Sequence, residues 1–284
     1  MKQILAATDF SASADGALQR AALLAVERGL PLQLLHVLPE LGSLTRWAGD
    51  AAGDALRLDA GLQLEQLAAR LRAGSGAVVD AQCRSGSVVD ELLRARGADD
   101  LLVLGARGAS LWRRLALGTT AERLIRRAPG AALVVRQPPV APYRRLLLGV
   151  DFSPATPALL VWARAVAPTA HWLIAHVYAV PHADKLYLAG VDAATVEHYR
   201  EGARQQALAG LQQLVESGQL AGISHSFQLL DGEPGIQLLE LAQQQGADLL
   251  AVGKRGQSAA EDLLLGSVAQ HLLAEAEIDV LISA

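Results

Sequence analysis

The amino-acid sequence predicts an α/β protein built from two tandem domains, each with a five-stranded parallel sheet. Strand-length apolar runs alternate with segments of helical periodicity, which is typical of a parallel sheet covered by helices on both faces. The whole pattern occurs twice in the same order, with matching residues 140 to 149 positions apart. Three prolines within Gln137–Pro142 separate the copies, and proline continues neither a strand nor a helix. We therefore expect domains at residues 1–137 and 144–284, joined by a stiff proline-rich linker at 138–143.

Within the first copy, each element is predicted from local composition and spacing. Short apolar runs predict the strands, at Ile4–Ala7, Leu32–Leu38, Ala77–Gln82, Leu101–Leu104 and Ala131–Val135. Apolar residues at helical spacing predict the helices, at Ala14–Arg28, Asp54–Arg72, Val88–Arg96 and Thr119–Arg127. In the long second helix, one apolar face is expected from Leu58, Leu62, Leu64, Leu67 and Leu71. The second copy repeats this series and ends with a strand at Ile278–Ile282.

Composition narrows the classes of protein to which the chain can belong. Hydrophobic residues make up 51% of the 284 residues, yet no run of 18 or more apolar residues predicts a membrane span. The chain reaches Thr8 and Asp9 too early for a secretory signal, and the single Cys83 excludes an internal disulfide. These features favour a reducing compartment, so a cytoplasmic location is expected. The net charge of −4 argues against a general nucleic-acid binder.

A glycine-lined loop follows the fourth strand of each copy. In the first copy Gly105 and Gly108 precede, after nine further residues, Gly118-Thr119; the second copy has the same spacing at Gly253, Gly256 and Gly266-Ser267. Glycine lets a backbone approach a ligand closely, and the helix that follows offers free N–H groups and a positive dipole end. The pattern therefore predicts an anion site that is present twice, with phosphate as the anion that fits best.

An aspartate ends the first strand of each copy, as Asp9 and as Asp151. In parallel sheets, ligands bind beyond the carboxyl ends of the strands, at the point where the strand order reverses. If the order is 3-2-1-4-5, the first and fourth strands flank that point. A carboxylate at one corner and an anion cradle at the other would suit a nucleotide.

These motifs together resemble the universal stress proteins in their tandem two-domain form, over nearly the full length of both halves. The most specific match is the family's ATP-binding signature, Gly-x2-Gly-x9-Gly-[Ser/Thr], which is complete in both copies. The opening strands that end in Asp-Phe-Ser, and the strands that end in His-Val at Val37 and Val177, are also similar. The resemblance implies Rossmann-like domains of the adenine nucleotide α-hydrolase-like type.

The resemblance further implies that each copy binds ATP, with Mg²⁺ or Mn²⁺ accompanying the phosphates. The aspartate would lie near the ribose and the metal-bridged phosphates, the valine would contact adenine, and the loop residues would hold phosphate and ribose oxygens. In the first copy the implied set is Ala7, Thr8, Asp9, Val37, Gly105, Arg107, Gly108, Gly118, Thr119 and Thr120. In the second copy it is Gly149, Val150, Asp151, Val177, Gly253, Arg255, Gly256, Gly266, Ser267 and Val268.

The two copies differ in charge between the second and third glycines. Arg113-Arg114 in the first copy correspond to Glu261-Asp262 in the second, and these pairs would bias a nearby triphosphate in opposite directions. Lys254-Arg255 could offset the acidic pair in the second copy, where the first has Ala106-Arg107. We expect both copies to bind ATP, the first more securely.

The sequence identifies no catalytic residues. His36 and His176 close apolar strands and are interpreted as hydrogen-bonded core residues, while Ser11 and Ser153 are interpreted as helix N-caps. No spacing of ligands predicts a zinc site. No general base is positioned toward a γ-phosphate, so ATP hydrolysis is expected to be slow or absent.

Three functional classes stay open at this point. The first is an ATP-binding, stress-linked regulator whose nucleotide state changes its surface for a protein partner. The second is a slow ATPase or a nucleotidyl- or phosphoryl-transferring enzyme, and the third is a nucleotide-free scaffold. The fifth strands, Ala131–Val135 and Val280–Ile282, are edge strands that can pair within one chain, and a homodimer through fifth-strand or domain-face contacts is a further expectation. No nucleic acid or membrane partner is expected.

Overall fold

The computed structural model describes residues 1–39, 50–106, 119–179, 190–256 and 265–284, and places their strands in a ten-stranded sheet. The first half contributes β1 (Ile4–Thr8), β2 (Leu32–Leu38), β3 (Val79–Ser85), β4 (Leu101–Gly105) and β5 (Ala131–Val135). The second half contributes β6 (Arg145–Gly149), β7 (His171–Tyr178), β8 (His225–Asp231), β9 (Leu249–Gly253) and β10 (Asp279–Ser283).

Helices cover both faces of this sheet. One face carries α1 (Ala12–Arg28), α2 (Asp50–Ser75), α5 (Thr156–Val166) and α6 (Ala193–Glu216). The other carries α3 (Val88–Ala95), α4 (Thr119–Arg127), α7 (Pro234–Gln245) and α8 (Ser267–Glu275). Each face buries its own apolar cluster, and both clusters run through the two halves without a break. The halves therefore share one continuous double-sided core.

The strand order is β3-β2-β1-β4-β5-β10-β9-β6-β7-β8, which confirms the expected order 3-2-1-4-5 in each half. Strands within a half are parallel, whereas β5 and β10 pair antiparallel with Leu133 opposite Leu281. The expected pairing of the fifth strands within one chain is thus confirmed. Because the strand direction reverses at this pair, β1 and β6 run in opposite directions, and their carboxyl ends point to opposite sides of the molecule.

Buried polar contacts reinforce the junction between the halves. Arg20 on α1 lies 3.4 Å from the carboxylate of Asp279 and donates to the Ala141 carbonyl oxygen at 2.8 Å. The Tyr143 hydroxyl donates to the same carboxylate at 2.6 Å, and the Arg20 guanidinium lies 3.9 Å from the centre of the Tyr143 ring. The linker is therefore packed into the junction rather than looping away from it.

Helix α1 begins as the sequence predicts, whereas α5 does not. The Ser11 hydroxyl accepts the Ala14 N–H at 3.3 Å, so Ser11 is the N-cap of α1. In the second half α5 begins at Thr156, its N-cap is Ala155, and the cap has no side-chain hydrogen bond. The N-cap role expected for Ser153 is therefore wrong, because a turn closed by the Thr156 N–H and the Ser153 carbonyl oxygen precedes the helix, which starts three residues after Ser153.

The long helix α2 buries only part of its expected face. Leu64 and Leu67 are buried, but Leu58 and Leu62 are 67% and 57% exposed. At about 100° per residue, Leu58 and Leu62 lie on the side of α2 opposite the buried Ala60, so the prediction that these two leucines join the core face is wrong.

The edge strand β3 is shifted along the chain relative to its predicted span. It covers Val79–Ser85 instead of Ala77–Gln82, with Val79 opposite Leu32 and Ser85 opposite Leu38. Its residues after Val79 are mostly polar and at least partly exposed, so the apolar run marks only its beginning.

Among the described residues, no helix is both long and apolar enough to cross a membrane.

Candidate functional site

In the second half, the carboxylate after β6 meets the glycine loop after β9. The Asp151 Oδ1 atom accepts the Ser153 backbone N–H at 3.0 Å, which orients the carboxylate in a tight turn. A Cβ atom built on Gly256 would lie 3.2 Å from Asp151 Oδ2. Because β6 and β9 are adjacent parallel strands, their carboxyl ends bring these two groups to the same edge.

The last glycine of the loop packs back onto its beginning. The Gly266 N–H donates to the Lys254 carbonyl oxygen at 2.9 Å, and helix α8 begins at the next residue, Ser267. A Cβ atom on Gly266 would lie 3.5 Å from the Arg255 Cα atom and 3.6 Å from the Gly256 nitrogen. The start of α8 therefore lies beside the loop, where its exposed Ser267 and half-buried Val268 face the same edge as Asp151.

The first half has the same aspartate turn after its first strand, but part of its glycine loop lies outside the described residues. Asp9 Oδ1 accepts the Ser11 N–H at 3.0 Å, as Asp151 does with Ser153. Gly105 ends β4, and a Cβ atom there would lie 2.8 Å from the Ser13 carbonyl oxygen, so glycine is needed for the close approach of α1. Thr119 and Thr120 begin α4 and are exposed. Arg107, Gly108 and Gly118 lie outside the described residues, as do Arg113-Arg114 and Glu261-Asp262.

A strained phenylalanine fixes each aspartate corner. Phe10 and Phe152 have φ values of +61° and +56°, a left-handed conformation that is costly for a bulky side chain. Their rings pack on His36 and His176 with centroids 4.4 and 4.5 Å apart. The same unusual corner is therefore built twice.

The two histidines hold the strands to which these corners belong. His36 Nδ1 lies 2.8 Å from the Thr8 carbonyl oxygen, and His176 Nδ1 lies 2.8 Å from the Val150 carbonyl oxygen. The hydrogen-bonded structural role expected for both histidines agrees with this geometry. One difference separates the copies: the Thr8 hydroxyl accepts the Phe10 N–H at 3.0 Å, and Val150 has no hydroxyl to do so.

The residues expected on the adenine side lie at the carboxyl ends of adjacent strands. Ala7 of β1 and Val37 of β2 belong to the face covered by α3 and α4, and Val37 is buried. In the second half, Gly149 of β6 and the half-buried Val177 of β7 take these places, and Val150 follows β6. A Cβ atom on Gly149 would lie 2.9 Å from the Leu238 side chain, so this glycine admits α7.

Lys254 does not project toward the loop ligand position. The residue is 4% exposed, and its ammonium donates to the Ala128 carbonyl oxygen of the first half at 3.3 Å. Burial, followed by the charges of Arg255 and Arg96, lowers the Lys254 pKa to about 8. The offset of the acidic pair by Lys254-Arg255 stays a prediction, because Glu261-Asp262 lie outside the described residues, while the Lys254 ammonium itself is held in the domain junction.

The arrangement at each edge can bind an anion beside a carboxylate. The second half shows this most completely, with the loop backbone and the start of α8 next to Asp151. Across the part of the chain described, no group of three or more His, Cys, Asp or Glu side chains forms a metal cage. A cation at this edge would thus be shared between one carboxylate and a bound ligand.

Sequence reasoning missed the two phenylalanines and the orientation of Lys254. Phe10 and Phe152 stand in an Asp-Phe-Ser triplet that occurs at the same place in both copies, which was the available signal. Nothing local distinguishes a lysine that reaches a ligand from one that reaches the neighbouring domain.

Fold and site together define a tandem two-domain α/β protein in which each half carries one strand–glycine loop–helix unit. The chain belongs to the universal stress protein family, whose sequence model matches residues 1–136 and 142–283. It is 27% identical over 299 residues to a universal stress protein of Mycolicibacterium smegmatis, covering 98% of this chain and 96% of the relative. It is 26% identical over 294 residues to one of Mycobacterium tuberculosis, covering 99% of this chain and 95% of the relative.

A solved structure shows the same fold over the whole length. The universal stress protein of Archaeoglobus fulgidus superposes with a TM-score of 0.72 at 20% identity, covering 99% of this chain and 97% of that one. The tandem arrangement of the two halves is therefore shared with a protein of very different sequence.

Proposed function

We propose that the chain is an ATP-binding universal stress protein that acts as a nucleotide-dependent regulator in the stress response, with slow or no ATP hydrolysis. Each half, residues 1–137 and 144–284, would hold one nucleotide at the carboxyl edge of its strands. The observation that carries the proposal is the close approach of Asp151 to Gly256, where an added Cβ atom would lie 3.2 Å from Asp151 Oδ2. It joins a carboxylate to a glycine loop at one edge.

The loop of the second half has the properties that a triphosphate requires. Gly256 and Gly266 leave the backbone open to close approach, and the first turn of α8 adds helix N-terminal N–H groups. Arg255 lies within the loop and supplies a cationic side chain to the same region. Ala7 and Val37 in the first half, and Gly149 and Val177 in the second, offer a small apolar wall for a base.

Mg²⁺ or Mn²⁺ would accompany the phosphates. Asp9 and Asp151 are the carboxylates that would share the ion with phosphate oxygens, since both follow the strand next to the glycine loop. The cation would neutralise phosphate charge near these carboxylates. The backbone N–H groups of Ser11 and Ser153 donate to one oxygen of each carboxylate and so hold both carboxylates in the same orientation.

A regulatory role is favoured over rapid catalysis by what surrounds the proposed phosphate position. The nearest histidines, His36 and His176, have their Nδ1 atoms engaged with backbone carbonyl oxygens beneath the phenylalanine rings. A general base must lie within hydrogen-bond reach of the proton it removes. Binding without turnover would leave the nucleotide state readable by a protein partner.

The first test is the nucleotide that the protein carries when it is purified. Acid denaturation followed by chromatography should release up to two adenine nucleotides per chain. Calorimetric titration with Mg-ATP should then show two sites in the wild type and one in either Gly118→Trp or Gly266→Trp, each of which fills the loop of one copy. Equal loss of both sites in one variant would contradict independent sites.

Phosphate release separates the regulator from the enzyme. We expect the wild-type protein to release phosphate from ATP no faster than the double variant Asp9→Ala/Asp151→Ala. Robust turnover that disappears in the double variant would instead identify an ATPase or transferase. Absence of released nucleotide together with no ATP-induced shift of the unfolding midpoint would identify a scaffold.

A further inference from the structure

We infer that Lys254 is a positioning residue that anchors the glycine loop of the second half on the first domain, so that the second site is completed across the domain junction. The inference rests on the proposed function for its ligand. Its structural basis is the contact of the Lys254 ammonium with the Ala128 carbonyl oxygen, at 3.3 Å, between residues 126 positions apart.

Lys254 lies inside the loop itself. It stands directly after Gly253 and two residues before Gly256, the glycine that faces Asp151. Its carbonyl oxygen accepts the Gly266 N–H at 2.9 Å, and its own N–H donates to the Ser283 carbonyl oxygen at 2.6 Å. The backbone of this one residue therefore joins both ends of the glycine loop to the last strand.

The anchor at the other end is also well suited to a cation. Ala128 follows the last residue of α4, and its N–H donates to the Leu124 carbonyl oxygen at 2.7 Å, which continues the helical pattern. Carbonyl groups at a helix C-terminus carry partial negative charge and favour a nearby ammonium. Lys254 thus ties the second loop to the C-terminal end of α4, whose N-terminal Thr119 and Thr120 belong to the first candidate site.

At the equivalent position the first half carries no such anchor. Ala106 takes the place of Lys254, is 3% exposed, and donates its N–H to the Val135 carbonyl oxygen at 3.0 Å. The backbone contact with the last strand is therefore kept, while the cross-domain side chain is missing. The geometry makes the second site dependent on the first domain, and the first site is without that dependence.

Lys254→Met in the full chain tests the anchor, since it keeps an unbranched side chain of nearly the same length and removes the ammonium. Hydrogen exchange on the nucleotide-free protein should show faster exchange, by about tenfold, at the amides of Lys254 and Gly266, with no change at Gly105 and Ala106. This measurement does not depend on ATP. Unchanged exchange at the second loop would overturn the inference.

ATP titration then tests the consequence for binding. In the Gly118→Trp background, Lys254→Met should weaken binding to the second site by about tenfold, while in the Gly266→Trp background the first site should stay within about twofold. Arg136→Met is the matched control, because Arg136 also donates across the junction to a helix carbonyl oxygen, that of Leu273.

The outcomes separate the two proposals. If the wild type binds no ATP, the proposed function fails, and hydrogen exchange alone decides whether Lys254 holds the loop. If the wild type binds ATP but Arg136→Met weakens the second site as much as Lys254→Met does, a generally loosened junction explains the loss and the anchor is overturned. Equal weakening of both sites by Lys254→Met would overturn it as well.

Discussion

Arg20 and Asp279 form a buried ion pair across the seam between the two halves, with 3.4 Å between Arg20 Nε and the carboxylate. The position that corresponds to Arg20 in the second half, 142 residues later, is Trp162. A Cβ atom on Gly130, next to β5, would lie 3.4 Å from the Trp162 ring. One side of the pseudo-symmetric junction is therefore ionic and the other aromatic, so the halves are complementary rather than interchangeable.

Breaking this ion pair should cost more than replacing it. Arg20→Met leaves a buried carboxylate without its guanidinium and should lower the free energy of unfolding by about 3–5 kcal/mol. Arg20→Met/Asp279→Leu removes both charges and should be less destabilised than Arg20→Met alone. Urea denaturation measures all three proteins. A double variant with a lower free energy of unfolding than Arg20→Met would contradict the ionic account of the junction.

Gly256→Ala should impair the second site without unfolding the protein. The new methyl group would lie 3.2 Å from Asp151 Oδ2 and press the carboxylate out of its place beside the loop. In the Gly118→Trp background, ATP binding should weaken by about tenfold, which is about 1.4 kcal/mol. Circular dichroism should show an unfolding midpoint close to that of the parent. Wild-type affinity would show that the carboxylate does not face the ligand.

Two glycines of α6 give opposite predictions for the same substitution. A Cβ atom on Gly210 would lie 2.7 Å from the Phe152 ring, whereas one on Gly202 would meet nothing within 4 Å. Gly210→Ala should therefore destabilise the protein by about 1–3 kcal/mol through overpacking. Gly202→Ala should stabilise it by about 0.5–1 kcal/mol, because alanine loses less backbone entropy in a helix. Thermal unfolding of the two variants side by side checks both signs.

Lys254 should make stability depend on pH. Burial and the neighbouring charges of Arg255 and Arg96 lower its folded pKa to about 8, from 10.5 in the unfolded chain. Below pH 8 both states are protonated and the burial cost is complete, whereas above it the folded state releases the proton first. Compared with Lys254→Met, the wild type should therefore gain stability between pH 8 and pH 10, with an upper limit of about 3 kcal/mol. Denaturation at pH 7 and pH 10 measures this difference, and parallel profiles would contradict it.

Sequence patterns predicted the strand order and the pairing of β5 with β10 because both follow from general rules. Continuous apolar runs such as Leu101–Leu104 mark strands buried on both faces, and an unpaired edge of that kind needs cover. The spacing of the glycines likewise located both loops and the starts of α4 and α8. Periodicity is informative wherever one face of an element is buried along its whole length.

The remaining features depend on contacts between distant parts of the chain. The exposure of Leu58 and Leu62 is an exception, because helical spacing alone places them on the side of α2 opposite the buried Ala60. The direction of the Lys254 side chain depends on Ala128, which is brought close by the pairing of the halves. The left-handed backbone of Phe10 violates its local preference, and His36 from the next strand packs against it.

Because the strand direction reverses between β5 and β10, the carboxyl ends of the strands lie on one side of the sheet in the first half and on the opposite side in the second half. The carboxyl ends of β4 and β9 point to opposite sides of one slab, separated by strands of five residues, or about 17 Å. A ligand bound at the carboxyl ends of one half is separated by the body of the sheet from a ligand bound at those of the other half. The two candidate sites of one chain therefore face opposite directions.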